Sequence, residues 1–321
     1  MLKVGVPEWI DEHLLAKFPE GVAIERIPAK PEQAIEVEFW LAHSSPVAMR
    51  DSLPYVHGVK VVQAMMAGVD WLRPMVPEGA VLCDGMGLHN IPTAEWTIAA
   101  ILASLKFFPF YRDLQHTGQW QRASEVDGIY RSLIPGPHPA KFRVLQDELY
   151  GKRVLIVGYG SIGRSIEERL LPFGVEIVRM ARSAREGVEP ISRLHPILPE
   201  VDIVVLIVPL TEETTGLIGE AELSLMPQGA LLVNAARGPV VKTDALLTAL
   251  QSGRIRAAVD VTDPEPLPEG HPLWSAPNLL ITPHVAGSSP HFTGRAIDLA
   301  AAQVRRYLKG EPLENVVSGS Y

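Results

Sequence analysis

Short apolar runs rich in Val and Ile alternate with helical patterns along this chain, and they fall into two series. The first holds LKVGV, VAIERI, FWLAH, VKVVQAM and AVLCDG within the first 85 residues; the second holds RVLIVG, VEIVRM, DIVVLIV, ALLVNA, IRAAVDV and NLLIT. A run that is apolar at every position must be covered on both faces. Strands alternating with helices achieve this as a parallel sheet between two helical layers. Two series therefore predict two α/β domains, Rossmann-like or flavodoxin-like, and 321 residues suits two domains better than one.

A helical pattern over about residues 93–108 separates the series, and another over about 293–308 follows the second. The chain is thus expected to form one domain from residues 1–95 plus 288–321 and another from 96–287, with a hinge at the two connections and a cleft between the domains. Residues 122–150, with three prolines between Pro135 and Pro139, read as a surface loop or wrapping arm.

Hydrophobic residues make up 47% of the chain, and 29 basic against 37 acidic residues give a net charge of −8. That balance fits a soluble protein without general affinity for nucleic acid or anionic membranes. The single cysteine, Cys83, forms no internal disulfide, and no zinc-ligand or other metal-ligand spacing is evident, so a buried thiol in a reducing cytoplasm is expected. The start, MLKVGVPEW, lacks the apolar run of a signal peptide, and the helix near residues 97–105 is interrupted at Lys106.

RVLIVGYGSIGRSIEERLLPFG carries Gly158, Gly160 and Gly163 in the pattern G-x-G-x-x-G. Alone the pattern says little, but here it follows a continuous apolar run and opens a helix with Ile162, Ile166 and Leu170 four apart and Gly174 as its stop. In that setting the first glycine permits a tight turn. The second lets a pyrophosphate approach the backbone, and the third lets the helix pack on the strand. The turn, including Ser161 and Ile162, is expected to hold a dinucleotide. An acidic residue for the adenosine ribose is expected about 20 residues further on. Position 181 is instead Ala181, followed by Arg182 and Ser183. Losing the carboxylate removes repulsion toward a 2′-phosphate, while a guanidinium and a hydroxyl are suited to bind one, so NADP is expected in preference to NAD. A solvated arginine in a turn is the competing reading.

Ligands of open α/β sheets bind beyond the carboxyl ends of the strands. There the second series presents Asn234 and Arg237 in ALLVNAARG, Asp260 and Glu265 in IRAAVDVTDPEP, and His284 in NLLITPHVAG. A guanidinium, a carboxylate and an imidazole from neighbouring strand ends can serve one pocket.

In combination and order, GYGSIG, VNAARG, DVTDPEPLP, HPLW and TPHVAG resemble the D-isomer-specific 2-hydroxyacid dehydrogenase family. The resemblance covers nearly the whole chain and is densest from 151 to 310. It implies that Arg237, Glu265 and His284 are catalytic. His284 would protonate the carbonyl oxygen as hydride arrives at carbon, because imidazole titrates near neutrality. Glu265 would orient the ring and favour its charged form, and Arg237 would bind the substrate carboxylate and polarise the carbonyl. Met66, Ala67 and Gly68 in QAMMAGVDWL would supply main-chain amides to the carboxylate, although a plain turn after a buried strand explains them as well. The resemblance also implies cofactor contacts at Thr93, Val208, Pro209, Ala235, Ala236 and Asp260, and a homodimer joined through the cofactor domain.

Ala67 stands where phosphite-oxidising relatives carry lysine, and Glu265 is absent from formate-oxidising ones, so both activities are disfavoured. Thr262 replaces the usual aromatic, and the arm at 122–150 is longer than typical. Trp40, His43 and Trp96 line a substrate pocket or simply pack the core. The expectation is NADPH-dependent reduction of a small 2-oxo acid, glyoxylate or hydroxypyruvate first, to the (R)-2-hydroxy acid. A dinucleotide-sensing corepressor of the same fold is the rival from another class.

Overall fold

The computed structural model describes residues 1–138 and 145–318, so residues 139–144 of the expected arm lie outside the described residues. Two compact units divide the chain: Met1–Asn90 with Ser288–Tyr321, and Ile91–Gly287. The first crossing falls ahead of the 95/96 boundary read from sequence, because the helix Asn90–Leu105 belongs almost wholly to the second unit.

In the first unit, strands β1 (Leu2–Pro7), β2 (Val22–Ile27), β3 (Ile35–Glu36), β4 (Phe39–Leu41), β5 (Val56–His57), β6 (Val61–Gln63) and β7 (Val81–Cys83) are all parallel to their partners. The main sheet runs β2-β1-β4-β6-β7, with β3 and β5 as a separate pair. On one face Val4, Phe39, Leu41 and Val61 pack against Ala296, Ile297, Ala300 and Val304 of the helix Phe292–Lys309. On the other, Trp40 and Val62 join Met49 and Leu72. Gln303, fully buried on that returning helix, donates to the Gln63 side chain at 3.1 Å and to the Glu314 carbonyl at 2.7 Å, while Gln63 donates to the carbonyls of Ala64 and Asp84. The last segment is thus fixed by satisfied buried amides as well as by apolar packing.

The second unit holds β8 (Arg153–Val157), β9 (Glu176–Ala181), β10 (Glu189–Pro190), β11 (Ile203–Leu206), β12 (Leu231–Asn234), β13 (Arg256–Val259) and β14 (Leu279–Ile281). They form one parallel sheet in the order β10-β9-β8-β11-β12-β13-β14. Alternate residues feed separate cores. Val154, Ile156, Ile203, Val205, Leu231 and Val233 pack on one face with Ile101 and Leu105 of the helix Asn90–Leu105. Leu155, Val157, Val204, Leu206, Leu232 and Val259 pack on the other with Leu246 and Leu250. The central strands are apolar along most of their length because both faces are covered, and full burial of one such side chain stabilises by roughly 1.5–3 kcal/mol.

The helix expected over 93–108 ends at Leu105; Phe107 adopts φ 54°, and a second helix, Phe108–Thr117, starts with Pro109 in its first turn. A left-handed residue followed by proline cannot continue the first helix. Among the described residues, no single helix is long and apolar enough to cross a membrane.

Candidate active site

Register sets the site. Val157 pairs with Met180 and Leu206, Leu206 with Asn234, Asn234 with Val259, and Val259 with Ile281. Six strands therefore end level along one edge, and GYGSIG, VNAARG, DVTDPEP and TPHVAG lead directly out of strand ends on it.

At β8 the three glycines have three different causes. Gly158 stands at φ +105°, and a Cβ there would meet the Ile207 carbonyl oxygen at 2.4 Å. A Cβ on Gly163 would lie 2.8 Å from the Gly158 oxygen, so helix Ser161–Leu170 packs closely only without a side chain. At Gly160 nothing lies within 4 Å of an added Cβ. Neither turn nor packing demands that glycine, and the open space lies where the first helical amides have no partner within the helix. That fits a pyrophosphate. Val208 and Pro209 leave the neighbouring β11, and the Thr214 hydroxyl donates to the Pro209 oxygen at 2.7 Å.

At the other end of the edge, the His284 Nδ1 lies 2.5 Å from the Glu265 carboxylate, with side chains 47% and 38% exposed, so the pair is accessible from solvent. His284 itself holds φ 54°. Its amide donates to the carbonyls of Asp260, at 2.7 Å, and Thr282, at 3.1 Å. Asp260 is 2% exposed, and its carboxylate accepts from the Thr282 hydroxyl at 2.5 Å, the Val285 amide at 2.8 Å and the Ala286 amide at 2.7 Å. The Asp260 carboxylate, expected on the nicotinamide side, is engaged in clamping the His284 turn. The Thr282 hydroxyl also accepts from the Trp96 indole at 3.0 Å. Trp96 thus supports the His284 turn rather than merely filling core, a role its position in a helical apolar pattern did not reveal.

Arg237 leaves the adjacent strand, β12. Asn234 braces that loop from within, donating to the Arg237 carbonyl at 3.1 Å and accepting from the Ala236 amide at 3.0 Å. Arg237 donates to the Ala236 carbonyl at 2.8 Å, whereas Ala235 is half-buried at the strand tip. A Cβ on Gly238 would come within 1.9 Å of the Thr262 oxygen. Only glycine lets the Arg237 loop run against the loop that carries Glu265, and this contact gathers the three side chains onto neighbouring loops of one edge.

Residues 98–286, more than half of the chain, match the family model for the NAD-binding domain of D-isomer specific 2-hydroxyacid dehydrogenases. The chain belongs to this family. The dehydrogenase is 35% identical to a glyoxylate reductase of Thermofilum pendens over 264 residues, 79% of this chain and 73% of the relative. Its fold matches the NADPH-dependent glyoxylate/hydroxypyruvate reductase of Sinorhizobium meliloti solved with NADP and sulfate, with a TM-score of 0.80, 25% identity and coverage of 99% and 98% of the two chains. A D-isomer specific 2-hydroxyacid dehydrogenase of Xanthobacter autotrophicus solved with NADPH and MES gives a TM-score of 0.76 at 28% identity, covering 98% of each chain. The dehydrogenase is an NAD(P)-dependent oxidoreductase.

In the dehydrogenase, Ala181 closes β9, and Arg182 and Ser183 are exposed beyond it. The Arg182 guanidinium lies 3.5 Å from the Glu213 carboxylate. Arg185 donates to the Tyr159 carbonyl in the glycine turn. Arg179 donates to the buried Glu167 carboxylate at 2.9 Å and lies 5.6 Å from the centre of the Tyr159 ring. The Arg179 pairing holds the Glu167 carboxyl below the usual carboxylate range despite burial.

Thr93 is buried in the helix Asn90–Leu105, its carbonyl accepting from the Thr97 hydroxyl at 2.8 Å. In the first unit Met66, Ala67 and Gly68 are half-buried after β6, and the Met66 carbonyl accepts from the Gly85 amide at 2.8 Å. A Cβ on Gly85 would meet the Met65 carbonyl at 2.8 Å, so a glycine distant in sequence shapes this loop. Trp40 is fully buried in the core. His43, also buried, follows β4, and burial pushes its imidazole below the ordinary histidine range.

Proposed function

We propose that the enzyme reduces a small 2-oxo acid to the (R)-2-hydroxy acid, with NADPH as the preferred reductant and glyoxylate and hydroxypyruvate as the first substrates to try. The observation that carries this reading is the hydrogen-bonded His284–Glu265 pair on the loops beside Arg237, all beyond one edge of the sheet. When bound, the reduced nicotinamide supplies the hydride. His284 holds the proton that reaches the carbonyl oxygen, at Nε2, because Nδ1 faces Glu265. The carboxylate fixes the ring's orientation. Arg237, with a planar fork, binds the substrate carboxylate and polarises the carbonyl as negative charge develops. Met66, Ala67 and Gly68 remain the proposed main-chain ligands of that carboxylate, on the family resemblance.

Preference for NADPH rests on Arg182 and Ser183 at a strand end without a carboxylate, and on relatives solved with NADP or NADPH. A cytoplasmic homodimer joined through the second unit completes the proposal. Trp120, 90% exposed, is the kind of aromatic side chain a partner covers.

Steady-state kinetics on a panel of 2-oxo acids with both reduced cofactors test the reading. One charge-assisted contact contributes about 1.5–3 kcal/mol, so kcat/KM with NADPH is expected to exceed that with NADH by about 10- to 150-fold. Equal values would remove the preference, and absence of turnover on every 2-oxo acid would favour a dinucleotide sensor.

A further inference from the structure

The three arginines of VRMARSAR are not equivalent. Arg179 is paired with the buried Glu167 carboxylate, and Arg185 is tied to a backbone oxygen of the glycine turn. Arg182 faces Glu213 at 3.5 Å, with side chains 57% and 68% exposed. Their loops follow β9 and β11, which flank β8 in the sheet. The ion pair therefore reaches across the exit of the strand whose glycine turn opens toward the cofactor. A dinucleotide with its pyrophosphate at that turn and its adenosine ribose at the β9 tip meets this pair.

We propose that Glu213 is a specificity-determining residue that competes with the 2′-phosphate of the adenosine ribose for Arg182. The inference rests on the reading of Arg182 as the 2′-phosphate ligand and adds the counter-charge that tunes it. An exposed pair of this kind is weak, so a phosphate carrying nearly two charges displaces the carboxylate from the guanidinium. The displaced carboxylate still stands close by and repels the phosphate. A ribose with a free 2′-hydroxyl brings no charge and feels neither effect. Glu213 thus lowers affinity for 2′-phosphorylated nucleotides and leaves the others unchanged. Arg182 supplies the preference, and Glu213 limits its size.

Calorimetric titration with 2′,5′-ADP and 5′-AMP reads this without turnover. Glu213→Gln is expected to raise 2′,5′-ADP affinity by about 3- to 10-fold at low salt, the size of one unscreened charge a few ångströms away, and the gain should shrink as salt rises. Affinity for 5′-AMP should stay within about 2-fold, since its 2′-oxygen carries no charge and its 5′-phosphate belongs at the glycine turn, farther from Glu213. Glu212→Gln removes the neighbouring exposed carboxylate, which makes no ion pair among the described residues, and is expected to give a smaller gain. Arg182→Gln should weaken 2′,5′-ADP binding and, in the double variant, leave only the part of the Glu213→Gln gain that comes from relieved repulsion of the phosphate. Unchanged or weaker 2′,5′-ADP binding by Glu213→Gln, or an equal gain from Glu212→Gln, overturns the proposal while an effect of Arg182→Gln keeps the NADP reading. Unchanged binding by Arg182→Gln overturns both.

Discussion

His284 combines two demands that conflict locally. It must present an imidazole at the strand edge, and its backbone holds φ 54°, a region that non-glycine residues enter at a cost of order 1–3 kcal/mol. Main-chain hydrogen bonds on both sides of it, to Asp260 and Thr282, maintain that conformation. His284→Gln should therefore lower kcat/KM by about 10²- to 10⁴-fold, the usual contribution of a positioned acid or base, with little change in thermal unfolding. Near-normal turnover would assign the proton to another group. His284 as the candidate acid was legible from TPHVAG. The left-handed turn that aims it was not, because nothing in the local sequence marks position 284 as glycine would.

At the scale of elements, the two edges of the second sheet do different work. The carboxyl edge carries the proposed chemistry, its His284 turn clamped by Asp260. Asn in its place offers one acceptor oxygen and turns an amide toward a donor. Asp260→Asn is expected to cost about 1–3 kcal/mol in urea unfolding through one unsatisfied buried group. It should also lower kcat, and wild-type kcat in this variant would show that the turn needs no clamp.

At the opposite edge Arg256, first residue of β13, is buried with Asp147 at 2.8 Å, and Lys152 approaches the same carboxylate at 3.0 Å. Burial alone would raise the Asp147 carboxyl, but Arg256 and Lys152 outweigh it and hold the group below the ordinary aspartate range. A depressed carboxyl stabilises above its unfolded value, about 3.9, and the contribution disappears as pH falls through the lower folded value. Asp147→Asn should cost about 3–5 kcal/mol near neutrality, since Arg256 is left buried without its counter-charge. Urea titrations at several pH values should show the gap to wild type closing below about pH 4. A gap that widened in acid would contradict the assignment.

For the whole molecule, self-association is the property to measure. A fully exposed tryptophan costs solubility unless something covers it. Sedimentation of the wild type should give a dimer, and Trp120→Glu should shift it toward monomer while each chain stays folded. A monomeric wild type would remove the dimer from the proposed function.

Much of this protein is set by local sequence, and the rest by register and approach. Apolar runs without alternation require sheets covered on both faces, which fixes the α/β class. The order strand, glycine turn, helix makes a phosphate site out of backbone groups that any sequence possesses, so glycine spacing marks it only together with the apolar run before it and the helical pattern after it. Arg237, Glu265 and His284 are legible because their motifs recur together in one order. Asp260 as a clamp, Trp96 as its support, Gly238 as the permissive contact and Glu213 as the partner of Arg182 all depend on atoms brought together from distant parts of the chain. No local pattern records such pairings, because they arise only when parallel strands end level and their loops meet.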